Sequence, residues 1–528
     1  MSEASLYERA LAAGGSPPPP RPPRDSAATV LWRRSEDGLE TFWVRRARSM
    51  PFMGGWYAFP GGGLGSADAE LRLDDEPSGL GVGPPAAGIP EKVLDGVGEL
   101  GPEMTPGLVV CALRELFEET GVLPLRGDPP AGLATARRRM LAGETGFAEL
   151  VTDLGLEIAV DRLLYAGRWL TPPLGPLRFD NRFFLLEWNH HSWLPVADHG
   201  EAELGEWIEP RRALARWRRG ELLTAPPILH ILTVLAEQGP EEGMARLLDP
   251  AEANLGTYRR VEFSPGVVMF PLPTPTLPPA TRTNTFLLGT GDAVLVDPGC
   301  PHEEELERLL ASLSAAHEQL GRRVNAIWLT HHHPDHVGGL EWLRGRLGCP
   351  VKCHPLTAER LAERGIAVDG ALTDGERLAL GGDPPFALRV LHTPGHARGH
   401  LCFLEENRDV LIAGDMVAGF GTIVIDPPEG DMSDYLDSLD RLAALKPRFL
   451  FPAHGAVQSD AGESIRAYAR HRLWREGRVL EAWNDGLREP SGMLDRVYPD
   501  LAPVARPLAE RQIVAHLERL ERLGSLAG

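Results

Sequence analysis

Apolar positions in this chain gather into short runs, and several of those runs end on residues that carry chemistry. Positions 324–329 are largely apolar and strand-like in composition, and they lead directly into Thr330, His331, His332, His333, Pro334, Asp335 and His336. A run of this length bounded by turn residues predicts a buried strand ending in a loop. The same design recurs at 386–391 before His396, at 410–414 before Asp415, and at 449–453 before His454. Residues 284–289 and 293–299 predict a hairpin pair. A helical period appears at 110–122, where Leu113, Leu116 and Phe117 form an apolar stripe and Gly121 marks the stop. Segments 228–237, 465–483 and 509–523 also predict helices.

The segment 331–336 holds five potential metal ligands in six residues. His331 and His333 stand two apart, so an extended backbone would point both imidazoles to one side. Asp335 and His336 follow the turn and could face a second ion. Imidazole with carboxylate is a ligand mixture that Zn²⁺ accepts. A histidine cluster alone can be an accidental polar loop; H-x-H-x-D-H at a strand end, with three further strand ends each carrying a ligand, is far more specific. This region, 258–457, resembles the metallo-β-lactamase fold, an αββα sandwich with a dinuclear site. The resemblance implies two Zn²⁺ or other transition-metal ions. His331, His333 and His396 would hold one, Asp335, His336 and His454 the other, and Asp415 would bridge them. Zinc β-lactamases characteristically use Cys in the second site, where this chain has a carboxylate. An all-His/Asp set is similar instead to glyoxalase II-type thioesterases and to the phosphodiesterases and ribonucleases of the same superfamily. Asp335 and Asp415 are then catalytic, Asp415 by holding a water between the ions.

A second candidate site lies on the helix predicted at 110–122. Glu115, Glu118 and Glu119 fall at i, i+3 and i+4, which places three carboxylates on one face. Like charges so placed destabilise a plain helix, and oxygen-only ligands favour Mg²⁺ or Mn²⁺. The bland alternative is a solvated acidic face with Arg114 paired to Glu118. The wider pattern favours the metal: residues 114–122 resemble the second half of the Nudix box, and residues 57–62 resemble the strand and glycine loop that open it. Asp68 stands six residues after Gly62, in place of the usual Glu, and roughly forty extra residues separate it from Arg114. With residues 177–184, that insertion is similar to the Nudix subgroup containing coenzyme A diphosphatases. The resemblance covers 25–240. It implies cleavage of a nucleoside diphosphate derivative, with Glu118 and Glu119 catalytic and all three glutamates as ligands. Gly61, Gly62, Arg178 and Arg182 are the expected substrate contacts; for the two arginines, pairing with nearby acids is the alternative.

Length and composition agree with several domains. A chain of 528 residues exceeds one ordinary core. Its 43% apolar and 24% charged content is that of a soluble globular protein. Cys111, Cys300, Cys349, Cys353 and Cys402 are odd in number and without zinc-knuckle spacing, which favours a reducing, cytoplasmic setting. No signal region and no membrane-spanning run is expected. The net charge of −20 weighs against nonspecific nucleic-acid binding.

The expected organisation is a Pro-rich disordered N-terminus (1–24), a Nudix α/β/α sandwich (25–240), a connector (240–256), a metallo-β-lactamase αββα sandwich (258–457) and a small helical tail (462–528). The tail resembles the winged-helix appendage of a group that contains a single-strand-specific ribonuclease. Its acids nearly match its arginines, so packing on the hydrolase core or homodimerisation is its expected job. The function expected is a bifunctional metal-dependent hydrolase acting on small molecules of nucleotide, coenzyme A or thioester type. The alternative is a single-strand RNA endonuclease whose Nudix part is a non-catalytic sensor.

Overall fold

Strand β1 (Arg24–Ser35) shows how the first unit is layered. Its side chains alternate between two cores: Ala27 and Leu31 enter one, while Ala28, Val30 and Trp32 enter the other. A strand buried on both faces needs helices on both sides. The helix Pro106–Thr120 covers the first face with Leu108, Leu113, Leu116 and Phe117. The helix Pro226–Glu237 covers the second with Ile231, Leu232 and Leu235. These coordinates are a computed structural model, which describes residues 22–526 apart from 37, 51–52, 74, 80–88, 95–99, 103, 174–176, 198–199 and 502. Most of the Pro-rich segment expected at 1–24 lies outside the described residues.

The remaining strands of this sheet are β2 (Gly38–Arg46), β3 (Tyr57–Ala58), β4 (Gly61–Gly63), β5 (Leu164–Leu170), β6 (Phe179–Glu187) and β7 (Ala202–Ile208). The order is β3-β2-β1-β6-β5, with β4 paired to β1 and β7 to β2. Parallel pairing of β1 with β6 brings Ser26 opposite Asn181. The short strands β8 (Asn254–Leu255) and β9 (Tyr258–Arg259) pair with each other, and β10 (Glu262–Ser264) is the last strand before the end of the unit, which spans Pro19–Ser264. The connector expected at 240–256 is therefore part of this unit and not a free linker. The reason is apolar content: Leu247 is fully buried in the core beneath the helix Pro226–Glu237.

The second unit runs from Pro265 to Gly528. One sheet contains β11 (Val267–Pro273), β12 (Arg282–Leu288), β13 (Asp292–Val296), β14 (Arg323–Trp328), β15 (Val351–Cys353) and β16 (Gly370–Ala371), adjacent in that order. The other contains β17 (Arg377–Leu380), β18 (Phe386–His392), β19 (Leu401–Glu405), β20 (Val410–Gly414) and β21 (Phe449–Pro452). Trp328 meets Phe403 at 5.2 Å and Phe286 meets Phe451 at 6.3 Å, so the two sheets face each other across an aromatic core. β12 and β13 form the expected antiparallel pair.

After β21 the chain is helical: Ala461–Asn484, Pro490–Val497 and Arg506–Arg522, with no strand among the described residues. Val479, Met493, Leu494, Val497, Ile513 and Leu520 give this tail a small core. Ile465 and Ala515 join the core under the helix Met432–Ala444, so the tail packs on the sandwich. No described helix is long and apolar enough to cross a membrane.

Candidate active sites

β14, β18, β20 and β21 each release their ligand-bearing residues at one edge of the sandwich. The atoms of His331, His333 and His396 that face one another lie within 4.8 Å, as do those of His331, His336 and Asp415, and those of Asp335, His336 and His454. All seven residues are buried. Asp415, a member of the second trio, lies between the other two. Its Oδ2 is 3.5 Å from His396 Nε2, and its Oδ1 is 3.5 Å from His336 Nε2 and 3.4 Å from His454 Nε2.

The outer contacts of the imidazoles decide which nitrogen faces the centre. His336 Nδ1 donates to Asp297 Oδ2 at 2.8 Å, His396 Nδ1 to the Val424 carbonyl at 2.7 Å, and His454 Nδ1 to the Arg282 carbonyl at 3.0 Å. Each Nε2 faces inward, the arrangement in which an outer partner orients a metal ligand. His331 Nε2, His333 Nδ1 and His396 Nε2 converge to 2.8–3.2 Å of one another. Burial and mutual repulsion hold the pKa of His331 and His333 well below the ordinary value. Burial would do the same to His336, but Asp415, Asp297 and Asp335 outweigh it and raise its pKa. Both carboxylate oxygens of Asp335, Asp415 Oδ1 and His336 Nε2 are buried with no hydrogen-bond partner. A buried lone pair without a donor is costly. A divalent cation satisfies such a set, so these residues fit the metal centre that their types suggest.

Three supporting residues were absent from the sequence-based site. Asp297, just after β13, adopts a positive φ of 52° and binds Thr330 through its backbone N–H (2.8 Å) and hydroxyl (2.6 Å), besides holding His336. It thereby fixes both ends of the 330–336 loop. Its signal was the carboxylate closing the apolar run 293–296. His400 Nε2 accepts from the Asp415 N–H at 3.0 Å, and its Nδ1 meets the Thr393 hydroxyl at 2.9 Å. Gly299 allows the loop to close: a Cβ there would lie 1.7 Å from the Asp335 carbonyl oxygen. His332, the middle of the three histidines, belongs to none of the three clusters.

In the first unit, Thr105 caps the helix Pro106–Thr120 and Gly121 ends it with φ 74°. Arg114 lies among the acids: its Nε donates to Asp68 Oδ1 at 2.7 Å and its Nη1 to Glu115 at 2.7 Å and Glu118 at 3.2 Å. Asp68 is thus brought to Arg114 across the insertion and also accepts the Gly65 N–H at 2.7 Å, which makes it a structural anchor. One guanidinium cannot neutralise the remaining carboxylates. Burial, the charge of Glu118 and that of Glu201, only partly offset by Arg114, push Glu115 up to about 7. Burial and the charge of Glu115 raise Glu119 well above the carboxylate range, and Glu119 Oε2 has no partner. This acid excess fits an oxygen-bound divalent ion.

Glu115 and Glu118 open onto a cleft of about 560 Å³ lined also by Gly61, Gly62, Glu201, Trp56, Phe59 and Phe183. A Cβ on Gly62 would sit 2.4 Å from Glu115 Oε1, so a larger residue there would displace that carboxylate. Glu201, outside the box, is a fourth acid that sequence reasoning missed. Arg178 and Arg182 correct the expectation of free anion contacts, for both are buried and already engaged. Arg178 donates to the Thr171 and Val93 carbonyls; Arg182 donates to Asp25, the Asp180 carbonyl and the Pro102 carbonyl. Neither lines the cleft; their neighbours Phe179 and Asn181 do.

Comparison with known proteins follows the same division. Residues 278–454 match the model of the metallo-beta-lactamase superfamily, 10–235 that of the NUDT19 Nudix domain, and 490–526 that of the beta-lactamase associated winged helix domain. A relative from Drosophila melanogaster, "Beta-lactamase-like protein 2 homolog", is 31% identical over 254 residues, covering 46% of this chain and 84% of that one. The "Atrochrysone carboxyl ACP thioesterase" of Aspergillus fumigatus is 32% identical over 215 residues, 39% of this chain and 61% of its own. Among solved structures, a NUDIX hydrolase from Alicyclobacillus acidocaldarius is 28% identical, with 43% of this chain and 97% of that chain covered and a TM-score of 0.33.

Proposed function

The chain belongs to the metallo-β-lactamase superfamily and carries a Nudix domain before that domain and a winged-helix domain after it, and on that premise we propose a hydrolase with two separate metal-dependent sites. The first reaction is hydrolysis of an acyl thioester at the His/Asp centre. The second is cleavage of the diphosphate bond of a nucleoside diphosphate derivative at the glutamate cleft. One observation carries the first assignment: buried, partnerless Asp335, His336 and Asp415 atoms surrounded by oriented imidazoles.

His331, His333 and His396 would hold one ion, Asp335, His336 and His454 the second, with Asp415 shared. Two ions so held supply Lewis-acid polarisation and an activated water. The chain's own residues do the positioning. Asp297 keeps His336 in one tautomer, His400 keeps Asp415 in place, and the backbone carbonyls of Val424 and Arg282 orient His396 and His454. No cysteine stands at any ligand position, which favours the thioesterase side of the superfamily over β-lactamase chemistry. The Aspergillus relative named as a thioesterase supports the same choice.

At the glutamate cleft, Glu115, Glu118 and Glu119 would hold Mg²⁺ or Mn²⁺, which neutralises phosphate charge and lowers the pKa of water. Glu118 is the most exposed of the three glutamates, its side chain 28% exposed against 11% for Glu115 with Glu119 buried, and it is the candidate for proton transfer.

The test is a rate panel on the full-length, metal-loaded protein with acyl-coenzyme A thioesters, bis(p-nitrophenyl) phosphate and nucleoside diphosphate sugars. Thioester turnover that Asp415→Ala abolishes, beside Mg²⁺-dependent diphosphate cleavage that Glu118→Gln abolishes, is the expected result. Phosphodiester turnover without thioester turnover would overturn the first assignment.

A further inference from the structure

The Nudix cleft is completed by residues beyond the stretch that matches the Nudix family model. That match ends at residue 235, yet Arg259, Val261 and Phe263 all line the cleft. Arg259 is the informative one. It lies on β9, which pairs Asn254 with Arg259 and so fixes where the side chain departs from the backbone. The residue is 3% exposed. Its Nη1 donates to Asn254 Oδ1 at 2.7 Å and to the Pro250 carbonyl at 3.2 Å. The rest of the guanidinium is unspent: Nε and Nη2 are buried and have no hydrogen-bond partner. Among the described residues no carboxylate forms an ion pair with it.

Its neighbour has the same character. The guanidinium lies 4.4 Å from the centroid of the Trp169 ring, and Trp169 also lines the cleft. Trp169 Nε1 is a second buried donor without an acceptor. A cation removed from water without a counter-ion is strongly penalised. Burial pulls the Arg259 pKa down to about 9, with Asp249 the one charge opposing it, as expected for a guanidinium that lacks an anion. Stacking on an indole recovers part of that loss. Three donor atoms on two adjacent side chains that line the cleft, with nothing to receive their protons, form half of a binding site. The missing half is an acceptor with negative charge.

We propose that Arg259 and Trp169 form a second anion-binding point in the Nudix cleft, and that the natural substrate is an organic diphosphate bearing a further phosphate monoester or carboxylate away from the bond that is cleaved. This rests on the reading of the cleft as a diphosphate-hydrolysing site. The glutamate cluster takes the metal-bound diphosphate, and the Arg259 end selects among diphosphates by their remaining charge. A planar guanidinium with two free donor positions suits either anion, because both offer paired oxygens. Arg259 is on this account a specificity-determining residue, separate from the glutamates that serve the reaction.

The experiment uses the full-length protein with Ca²⁺ in place of Mg²⁺ to suppress turnover, and calorimetric titration with matched ligands. NADPH against NADH, and coenzyme A against 3′-dephospho-coenzyme A, differ by one phosphate monoester. UDP-glucuronate against UDP-glucose differs by one carboxylate. In wild type the more anionic member of at least one pair should bind about tenfold or more tightly, the usual worth of a charge-assisted hydrogen bond. Arg259→Gln should bring that pair to parity, and Arg259→Lys, which keeps the charge without the fork, should retain part of the preference. Which pair separates identifies the anion. No separation in wild type, or a separation that survives in Arg259→Gln, overturns the proposal and marks Arg259 as a clamp for the 250–259 segment. Should Arg259→Gln fail to fold by thermal melting, the wild-type preference and its reduction in Arg259→Lys decide the question. If no ligand of any pair binds or is cleaved with Mg²⁺, the diphosphate reading of the cleft falls together with this one. Cleavage of both members of every pair at equal efficiency overturns this proposal alone.

Discussion

At the residue scale, the atoms left without partners decide what each site can bind. Asp297 is not in the metal-ligand set, yet its two oxygens hold His336 Nδ1, the Thr330 N–H and the Thr330 hydroxyl. Asp297→Ala should therefore weaken metal binding by ~10–100-fold, the usual effect of removing an outer partner, with all ligands still present. Competition with a fluorescent chelator measures it; unchanged affinity would mean that packing alone orients His336. In the first unit, Glu119→Gln keeps the shape of the side chain and removes a buried charge. Activity on nucleoside diphosphate derivatives should fall by about 10²-fold or more, as expected when an acid–base or ligand group is lost. The thermal midpoint without metal should hold or rise, because repulsion with Glu115 is relieved. Equal turnover by this variant would remove the glutamates from the reaction. A pH effect belongs here too. His354 caps the helix Pro355–Glu363 by accepting the Leu356 N–H at 3.3 Å, and burial together with charge repulsion from His392, whose ring stacks on it, lowers its pKa to about 4. The folded state favours its neutral form, so that stability is complete above the unfolded pKa of ~6.5 and declines as pH falls toward 4. His354→Asn retains a capping oxygen and cannot titrate. Urea melts of the metal-loaded protein at pH 7 and 5 should show a smaller loss for His354→Asn than for wild type.

At the element scale, the helical tail is tied to the loop that follows Asp415. Tyr468 accepts the Ala418 N–H at 3.1 Å and donates to the Gly421 carbonyl at 3.1 Å. Arg472 donates to the Ile423 carbonyl, and Gln512 Nε2 to the Ile425 carbonyl at 2.8 Å. Between those two carbonyls lies Val424, whose own carbonyl accepts from His396. The chain of contacts thus runs from tail to loop to metal ligand. Gln512→Ala should lower metal affinity several-fold although residue 512 is remote from the ligands in sequence, as outer-shell changes do. Metal content after graded chelation checks this. A content equal to wild type would reduce the tail to packing. Two of these helices were expected from the sequence, at 465–483 and, through leucines at helical spacing, at 509–523; the helix Pro490–Val497 was not. The tail's hold on the loop was not expected either, because a carbonyl acceptor leaves no trace in residue identity.

At the scale of the whole molecule, the two units have their own hydrophobic cores, with the division at Ser264–Pro265. Units with separate cores usually fold and work independently. Asp415→Ala should abolish hydrolysis at the His/Asp centre and leave Mg²⁺-dependent diphosphate cleavage near wild type, and Glu118→Gln should do the reverse. Both rates in both variants are the measurement. Loss of both reactions in either folded variant would mean coupled sites.

The residue pattern alone determined the domain sequence, the strand ends that carry His331, His333, Asp335, His336, His396, Asp415 and His454, and the three glutamates on one helix face. Those features are local: a ligand type at the end of an apolar run, or a carboxylate at i, i+3 and i+4, is written in consecutive residues. Tertiary structure decided what each polar group has left to offer. It joined Asp68 to Arg114 across the insertion, consumed Arg178 and Arg182 in buried pairs, and left Arg259 with donors unspent. Sequence shows that a side chain is charged. Only the folded chain shows whether a partner has already met that charge, since partners 46 or more residues apart are brought together by packing and not by spacing.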